Sequence, residues 1–292
     1  MKKAAYVAFI GRPNVGKSTL LNSILKEHLC ITSKKHQTTR EKILGIDTYD
    51  DFQFVYQDLP GYINPHNELQ KKMKEDVENG IKDADIIIFM VEAGEKRESY
   101  SELISIVQKH PNVILVVNKI DIQNIDPGWE ELADEMGWNI ITLCALNGKR
   151  VDRLKDILEE KAPEVESFYY DKDYLTDRSE RFIVKEYIRE TSLEIYRSEI
   201  PHELFVDVVN MIEEEDIIKI KAIIYVARNS QKGIVIGQNG KMIKKLGKES
   251  RIKLEKFFSK KIFLELNVKI KEKWFNNESI LSGMKKDYGV WE

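Results

Sequence analysis

Eight consecutive residues near the N-terminus have the types and spacing of a phosphate-binding loop. They are Gly11, Arg12, Pro13, Asn14, Val15, Gly16, Lys17 and Ser18, and they fit the pattern G-x-x-x-x-G-K-[ST]. Glycines let backbone N–H groups approach phosphate oxygens, the Lys17 ammonium can reach the outer phosphates, and the Ser18 hydroxyl can bind Mg²⁺. The loop stands between an apolar run and a helical pattern, which is the context that this chemistry requires.

Two later tetrapeptides add the elements of a guanine nucleotide site. In Asp58-Leu59-Pro60-Gly61 the carboxylate can hold Mg²⁺ through water, and the glycine N–H can contact the γ-phosphate. In Asn118-Lys119-Ile120-Asp121 the Asp121 carboxylate can accept both the N1 and N2 hydrogens of guanine. Adenine has no N2 amine and would leave that carboxylate short of partners. Asn118 or Asp121 alone could merely cap a helix, but the three elements in this order predict selection of guanine.

These elements fall where predicted strands end. Apolar runs and helical patterns alternate, with strands predicted at residues 4–10, 43–48, 52–58, 84–92, 113–118 and 139–143 and helices at residues 17–25, 98–110, 129–136 and 151–160. Such alternation predicts an α/β domain with a mostly parallel six-stranded sheet, to which the hairpin at residues 43–58 adds one antiparallel strand. Sheets of this kind bind ligands at the carboxyl ends of their strands. Residues 1–165 are therefore predicted to form a nucleotide-binding domain.

A second domain is predicted after a break in this alternation. Residues 166–180 combine aromatic side chains with mixed charges and are interpreted as an interdomain linker. Residues 181–292 are predicted to form an α+β domain with a helix at 182–198, strands at 204–213 and 217–228, a glycine-bearing turn, a basic helix at 241–258 and a strand at 261–270.

The balance of basic and acidic side chains changes at about the same position in the chain. Residues 1–180 carry 24 basic and 32 acidic side chains, whereas residues 181–292 carry 22 basic and 17 acidic. Residues 228–261 alone contain 11 basic and two acidic side chains. This density predicts a polyanionic partner, although a solvated helix face would also account for it.

Composition narrows the class of protein further. The 292 residues are 42% hydrophobic and 33% charged, as in ordinary folded proteins, and the longest apolar runs are too short to span a bilayer. No small-residue cleavage site follows the basic N-terminus, so secretion is not expected. The two cysteines, Cys30 and Cys144, cannot build a disulfide framework or a zinc site by themselves, which favours a reducing cytosol.

The nucleotide motifs together resemble those of the Era family of GTPases. Gln37-Thr38-Thr39-Arg40 resembles the switch I motif of that family, in which Thr39 would ligate Mg²⁺ when GTP is bound. Cys144-Ala145-Leu146 stands at the place of the S-A-x element, and the resemblance assigns the Ala145 N–H to guanine O6. Cys144 replaces the usual serine, and Leu59 replaces the threonine of the usual D-T-P-G.

The resemblance also implies how hydrolysis proceeds. Tyr62 stands where Ras-like enzymes place the glutamine that orients water, which implies slow intrinsic hydrolysis by a switch. Asn14 matches the asparagine with which potassium-activated relatives bind K⁺, although it could instead only shape the turn. The implied catalytic residues are Asn14, Lys17 and Thr39, the implied metal ligands are Ser18, Thr39 and Asp58, and the implied cofactors are GTP or GDP, Mg²⁺ and K⁺.

The second domain resembles a type II KH domain, a fold that binds single-stranded RNA. The predicted RNA-binding residues are Gly233, Gly237, Gln238, Asn239, Gly240, Lys241, Lys244 and Lys245. Glycines of a G-x-x-G loop let RNA phosphates approach the main chain, and the following helix presents its N-terminus and its lysines. Gln238 and Asn239 depart from the basic residue that this loop often contains. Trp274, in a segment resembling the C-terminal motif of the Era family, would stack on a base or pack a helix onto the sheet.

The resemblance covers nearly the whole chain. It implies a GTPase that binds the 3′ end of 16S rRNA and the 30S subunit during small-subunit biogenesis. It also implies a cytoplasmic monomer and leaves open a peripheral association with the inner face of the cell membrane. Two alternatives are a membrane-associated or signalling GTPase with a vestigial KH module and an RNA-modification GTPase. The latter lacks support, because no catalytic cysteine or cofactor motif appears outside the nucleotide site.

Selection of guanine by Asp121 is tested by Asp121→Asn. The amide donor suits the C2 carbonyl of xanthine, so we expect the preference of the variant to shift from GTP toward XTP. Competition binding with the two triphosphates measures this shift. Equal affinity of the wild-type protein for GTP and XTP would contradict the assignment.

Overall fold

A computed structural model describes residues 1–33, 38–197, 199–277 and 281. The chain divides into two compact units. The first consists of Met1–His66 and Gln70–Asp177, and the second consists of Asn67–Leu69 and the described residues from Arg178 onward.

The described residues of the first unit form a six-stranded sheet. Its strands are β1 (Lys3–Gly11), β2 (Ile43–Tyr49), β3 (Phe52–Asp58), β4 (Ile86–Glu92), β5 (Val113–Asn118) and β6 (Asn139–Thr142), in the order β2-β3-β1-β4-β5-β6. The β2–β3 pair is antiparallel and the other pairs are parallel, which confirms the predicted fold class. Every residue of β5 is buried, as expected for a strand that helices cover on both faces.

Helices connect these strands, and the sequence pattern did not predict one of them. They are α1 (Lys17–Leu25), α2 (Glu68–Asp83), α3 (Ser101–Val107), α4 (Gly128–Met136) and α5 (Val151–Lys161). The unpredicted helix α2 is strongly polar, yet Leu69, Met73 and Val77 are buried along it. Their i, i+4, i+8 spacing is the signal that would have predicted this helix. The helix predicted at residues 98–110 is shorter than expected, because a 3₁₀ turn at Arg97–Tyr100 precedes α3.

The segment predicted as a linker, residues 166–180, is divided between the units at Asp177. Gln53 of β3 accepts hydrogen bonds from the N–H groups of Tyr169 (2.8 Å) and Tyr170 (3.0 Å) and donates one to the Tyr170 carbonyl (2.8 Å). The N–H of Ile46, on edge strand β2, donates to the Leu175 carbonyl at 2.8 Å. Residues 168–175, here called the strap, therefore belong to the first unit.

The second unit has the element order of the predicted α+β domain. It contains α6 (Glu180–Ile195), β7 (Phe205–Glu213), β8 (Ile217–Val226), α7 (Asn229–Ile236), α8 (Lys241–Phe258) and β9 (Lys261–Ile270). The sheet order is β7-β8-β9, with β7 antiparallel and β9 parallel to β8. The predicted end of the first helix, residue 198, lies outside the described residues, and α6 ends at Ile195.

The turn between β1 and α1 requires glycine at position 16. Gly16 has a φ of +103°, and a Cβ there would lie 2.3 Å from Nδ2 of Asn118. Asn118, at the end of β5, donates a hydrogen bond from this Nδ2 to the Val15 carbonyl at 2.8 Å. A side chain at position 16 would therefore separate the phosphate-binding loop from the predicted guanine element.

We expect Gly16→Ala to lower the affinity for guanine nucleotides by roughly tenfold or more, because the methyl group adds backbone strain and displaces Asn118. Gly137→Ala is a matched control, since Gly137 has a φ of +65° but nothing lies within 4 Å of a Cβ there. It should cost about 1–2 kcal/mol of unfolding free energy and leave the affinity unchanged. Titration with a fluorescent guanine nucleotide distinguishes the variants, and equal affinities would refute the role given to Gly16.

Candidate functional site

The phosphate-binding loop lies where β1 and β3 end side by side. The two strands are parallel with Phe9 opposite Asp58, so the end of β3 lies next to the loop. The Lys17 ammonium is buried and donates hydrogen bonds to the carbonyls of Gly11 (3.2 Å) and Arg12 (3.0 Å). Burial lowers the pKa of Lys17 to about 8, although the Asp58 carboxylate opposes this shift. A desolvated cation of this kind is suited to binding phosphate oxygens.

Three oxygen atoms that could ligate a metal ion lie close together beside Lys17. The Ser18 Oγ donates to Oδ2 of Asp58 at 2.6 Å and lies 2.9 Å from Oγ1 of Thr39, which in turn donates to the same Oδ2 at 3.2 Å. Burial raises the pKa of Asp58, and hydrogen bonds from Ser18 and the charge of Lys17 partly offset the shift. Hydroxyl and carboxylate oxygens are the hard donors that Mg²⁺ prefers, so this donor set fits the cofactor that the sequence implied. Gln37, of the predicted switch I motif, lies outside the described residues.

The tetrapeptide Asp58-Leu59-Pro60-Gly61 is packed closely against the phosphate-binding loop. A Cβ at Gly61 would lie 2.7 Å from the backbone of Pro13, so only glycine permits this approach. The hydroxyl of Tyr62 donates to Oε1 of Glu102 at 2.7 Å, and Lys74 lies 5.3 Å from the centre of the Tyr62 ring. The Tyr62 side chain is therefore held by α2 and α3 rather than by the phosphate-binding loop.

Several predicted site residues have buried or half-buried side chains. Val15 and Pro60 are buried, and Ile120 is half-buried. Leu59, which departs from the family pattern, is fully buried, and its Cδ1 would lie 2.4 Å from a Cβ at Gly80 of α2. Its side chain is therefore part of the core beneath α2.

A cleft of about 640 Å³ lies between the loop and the end of β5. It is lined by Asn14, Gly16, Thr19, Thr32, Ser33, Asn118, Lys119, Asp121, Ile122, Cys144 and Leu146. The predicted guanine element thus faces the loop, with Cys144 buried at the cleft. The sequence analysis did not predict Thr19, Thr32, Ser33 or Ile122. Ile122 is 66% exposed and Leu146 is 80% exposed, and exposed apolar side chains in a cleft with the predicted guanine element are suited to contact a base.

Asn118 joins the two sides of this cleft. Besides its bond to Val15, its Oδ1 accepts a hydrogen bond from the Ala145 N–H at 2.9 Å. The assignment of that N–H to guanine O6, which the resemblance implied, stays a prediction. Lys119 is tied to β4 by an ion pair with Glu92 at 2.6 Å.

Arg12 and Asn14 occupy different parts of the loop. The Arg12 guanidinium pairs with Glu95 at 3.2 Å and lies 5.3 Å from the centre of the Tyr100 ring. Asn14 has a φ of +66° and lines both the phosphate cavity and the base cleft. The left-handed backbone suits a turn-shaping role, whereas the position suits a ligand role, so both interpretations of Asn14 stay open.

The predicted G-x-x-G loop immediately precedes α8. A Cβ at Gly237 (φ +70°) would lie 2.5 Å from Cγ of Met242, and Gly240 (φ +73°) faces open space. Gln238 and Asn239 between them are exposed, and so is Gly233 on α7. Both loop glycines are therefore required by the backbone, and nothing within 4 Å blocks a phosphate from approaching Gly240.

A groove of about 560 Å³ runs between α8 and β9. It is lined by Ile243, Lys244, Gly247, Lys248, Arg251, Ile262, Phe263, Leu264, Glu265 and Leu266. Lys241 and Lys245 are exposed on α8 but are not part of this lining. Lys248 and Arg251 were not predicted, although their spacing of four and seven residues from Lys244 places them on one helix face.

The lining of this groove includes Gly247, a glycine in the interior of α8. A glycine in a helix interior usually costs about 1 kcal/mol relative to alanine. At Gly247 an added Cβ would lie 3.6 Å from Cδ1 of Leu266 across the groove. An alanine side chain would therefore fit at this position in ordinary contact with Leu266, and glycine there costs helix stability.

Trp274 packs instead of stacking on a base. Its side chain is fully buried, its ring centre lies 5.6 Å from that of Phe205, and its Nε1 donates to the Glu203 carbonyl at 2.8 Å. The packing alternative of the sequence analysis is therefore correct.

Comparison with known families and proteins agrees with this geometry. The family described as "50S ribosome-binding GTPase" matches residues 6–119, and the KH domain family matches residues 199–275. No helix among residues 1–33, 38–197, 199–277 and 281 has both the length and the apolar character needed to cross a membrane.

The similarity to curated and solved proteins extends over nearly the whole chain. GTPase Era of Mycoplasmopsis agalactiae is 42% identical over 96% of this chain and 98% of its own length. GTPase Era of Caldanaerobacter subterraneus is 41% identical, with 96% of each chain covered. A crystal structure of Era in complex with MgGDPNP and nucleotides 1506–1542 of 16S ribosomal RNA is 31% identical, with a TM-score of 0.91 over 97% of this chain and 98% of that one. The chain therefore belongs to the Era family of GTPases.

Proposed function

We propose that this GTPase is a switch whose nucleotide state controls its binding to the 3′ end of 16S rRNA, and that it acts on the 30S subunit during small-subunit biogenesis. The observation that carries the proposal is the groove between α8 and β9. Three basic side chains, those of Lys244, Lys248 and Arg251, line it together with apolar residues of β9. The G-x-x-G loop, in which Gly237 and Gly240 have positive φ values, immediately precedes α8. The solved Era complex contains 16S rRNA, which supports the choice of ligand.

The groove offers the contacts that single-stranded RNA requires. Lys244, Lys248 and Arg251 would neutralise phosphates, and the loop at Gly237 and Gly240 would let the RNA backbone approach the main chain. The apolar residues of β9 would contact bases. Glu265 is the one acidic residue of this lining, and Lys221 pairs with it at 3.0 Å, which lowers its pKa and reduces its repulsion of RNA.

The nucleotide site would bind GTP with the groups already described. Lys17 would contact the outer phosphates, Ser18 and Thr39 would ligate Mg²⁺ directly, and Asp58 would hold it through water. Bound Mg²⁺ would neutralise the charge that develops on the phosphates during hydrolysis. The Gly61 N–H would contact the γ-phosphate, and the Asp121 carboxylate would select guanine.

The proposal includes the setting in which the protein works. We propose a cytoplasmic monomer that meets its RNA on the 30S subunit. The basic face of α8 would also be attracted to anionic lipid, so peripheral association with the inner face of the cell membrane is retained as a second location. RNA crosslinked to the protein in cells and then sequenced tests the whole proposal, with enrichment of the 3′ end of 16S rRNA expected.

The RNA groove is tested by replacing Gly237 and Gly240 with aspartate. Two side chains with negative charge would stand where phosphates should pass, so RNA affinity should fall by roughly tenfold or more while GTP affinity is unchanged. Filter binding with a 16S 3′-end RNA and titration with GTP measure the two affinities.

The control adds the same charge elsewhere on the second unit. Asn210 on β7 and Ser259 after α8 are exposed, and aspartate at both should weaken RNA binding much less. Retention of RNA affinity by the glycine double variant would show that the G-x-x-G loop is not the contact surface.

We also propose that Asn14 ligates K⁺ and that K⁺ accelerates hydrolysis in place of an arginine finger, a device worth roughly 10³–10⁵ in rate in other GTPases. Hydrolysis should be faster in K⁺ than in Na⁺ at matched ionic strength, and Asn14→Ala should abolish the difference.

Asn14→Gly provides the matched control for the turn, because glycine accepts the +66° φ without strain and removes only the side chain. Loss of the K⁺ effect in both variants supports a ligand role, whereas loss in Asn14→Ala alone supports turn shaping. Identical wild-type rates in the two salts would rule out the mechanism.

A further inference from the structure

The β2–β3 hairpin carries nucleotide-site residues at one end and the strap at the other. Ile43, the first residue of β2, pairs with Asp58, the last residue of β3, and Thr39 lies four residues before Ile43. Toward the turn of the hairpin, Ile46 and Gln53 hold the strap. The seven residue pairs of the hairpin connect its two ends through one continuous hydrogen-bonded ladder.

Gln53 fastens the strap with every polar atom of its side chain. The residue is fully buried, and its carbonyl oxygen accepts from the N–H groups of Tyr169 and Tyr170. Its amide nitrogen donates to the Tyr170 carbonyl at 2.8 Å and to the Thr48 hydroxyl at 2.9 Å. Because a buried amide that loses its hydrogen-bond partners is strongly destabilising, these bonds fix the strap to β3 in one register.

Aromatic packing strengthens the attachment. Tyr170 and Tyr174 of the strap pack against a buried cluster of Leu44, Ile46 and Val55, all of which belong to the hairpin. The Ile46 N–H also donates to the Leu175 carbonyl, so the strap covers part of the free edge of β2. The strap is therefore bound to both strands of the hairpin.

The opposite face of the hairpin is attached to α5 by contacts that do not involve the strap. Lys155 pairs with Asp47 at 2.7 Å, and the Tyr49 hydroxyl donates to Glu159 at 3.0 Å. These contacts support the hairpin without leading to the second unit, and they provide a control.

We propose that the β2–β3 hairpin transmits the nucleotide state to the RNA-binding unit through the strap. A shift of Thr39 or Asp58 on nucleotide exchange displaces the hairpin, the strap moves with Gln53 and Ile46, and this movement reaches the chain at Asp177, where the first unit ends. This inference rests on the proposed nucleotide-controlled RNA binding and adds the route of the coupling, with Gln53 as its positioning residue.

The test is the ratio of RNA dissociation constants measured with GDP and with GDPNP bound to the full chain. Coupled sites commonly differ by roughly 5–150-fold, and Gln53→Met should bring the wild-type ratio to within about twofold of 1. Methionine keeps the length of the side chain and removes all four hydrogen bonds. Tyr49→Phe is the matched control, because it removes a hydrogen bond of the same hairpin on the α5 side and should keep the ratio. The GTP affinity should be unchanged in both variants.

A second variant tests the same proposal in case the Gln53→Met protein does not fold. Two glycines inserted after Asp177 lengthen the chain between the strap and the second unit, and this insertion should lower the ratio as well. Hydrogen exchange at the amides of Tyr169 and Tyr170 reports whether Gln53→Met releases the strap.

The outcomes separate the two proposals. A wild-type ratio of 1 would overturn the proposed switch, and this inference would fall with it. A normal wild-type ratio that survives both the release of the strap and the glycine insertion would overturn the hairpin route alone. An equal loss of coupling in Tyr49→Phe would also overturn it, since general loosening of the hairpin would then be sufficient.

Discussion

The burial of Lys17 and Asp58 in one site is the constraint on which the rest of the first unit depends. Both side chains are nearly or fully buried. Burial lowers the pKa of Lys17 and raises the pKa of Asp58, so it favours the neutral form of each residue. An ammonium and a carboxylate can remain charged there only with close partners, which carbonyls, hydroxyls and each other supply. Phosphate oxygens next to Lys17 and a divalent cation next to Asp58 are the counter-charges that such a site accepts. The parallel pairing of β1 with β3 is what places the two groups together.

Asn118 extends this arrangement from the phosphates to the base. Its side chain bonds to Val15 in the phosphate-binding loop and to Ala145 beyond β6, so loop and base element form one hydrogen-bonded body. Gly16 is required because the same side chain fills the space that a Cβ would need. The phosphate-binding loop and the predicted guanine element therefore share one backbone geometry, which Asn118 and Gly16 maintain.

The two units use the left-handed backbone for the same purpose. Gly16 in the first unit and Gly240 in the second have positive φ values, and each is the residue immediately before a helix, α1 and α8 respectively. At such a point backbone N–H groups and the helix dipole favour an anion, whether a nucleotide phosphate or an RNA phosphate. The hairpin and strap supply a physical connection between the end of the nucleotide site and the chain that leads to the RNA-binding unit.

The sequence alone determined the elements whose chemistry is local in the chain. Each motif is a contiguous stretch of sequence: the phosphate-binding loop, the two later tetrapeptides and the G-x-x-G loop. The alternation of apolar runs and helical patterns predicted the sheet that positions the first three. Tertiary structure decided what depends on residues distant in sequence. The hydrogen bond of Ala145 to Asn118, the packing of Trp274 against Phe205 and the attachment of the predicted linker to Gln53 join residues that are 27, 69 and 117 positions apart, respectively. Helix α2 was not predicted because its three buried apolar side chains, Leu69, Met73 and Val77, are a sparse periodic signal among strongly polar residues.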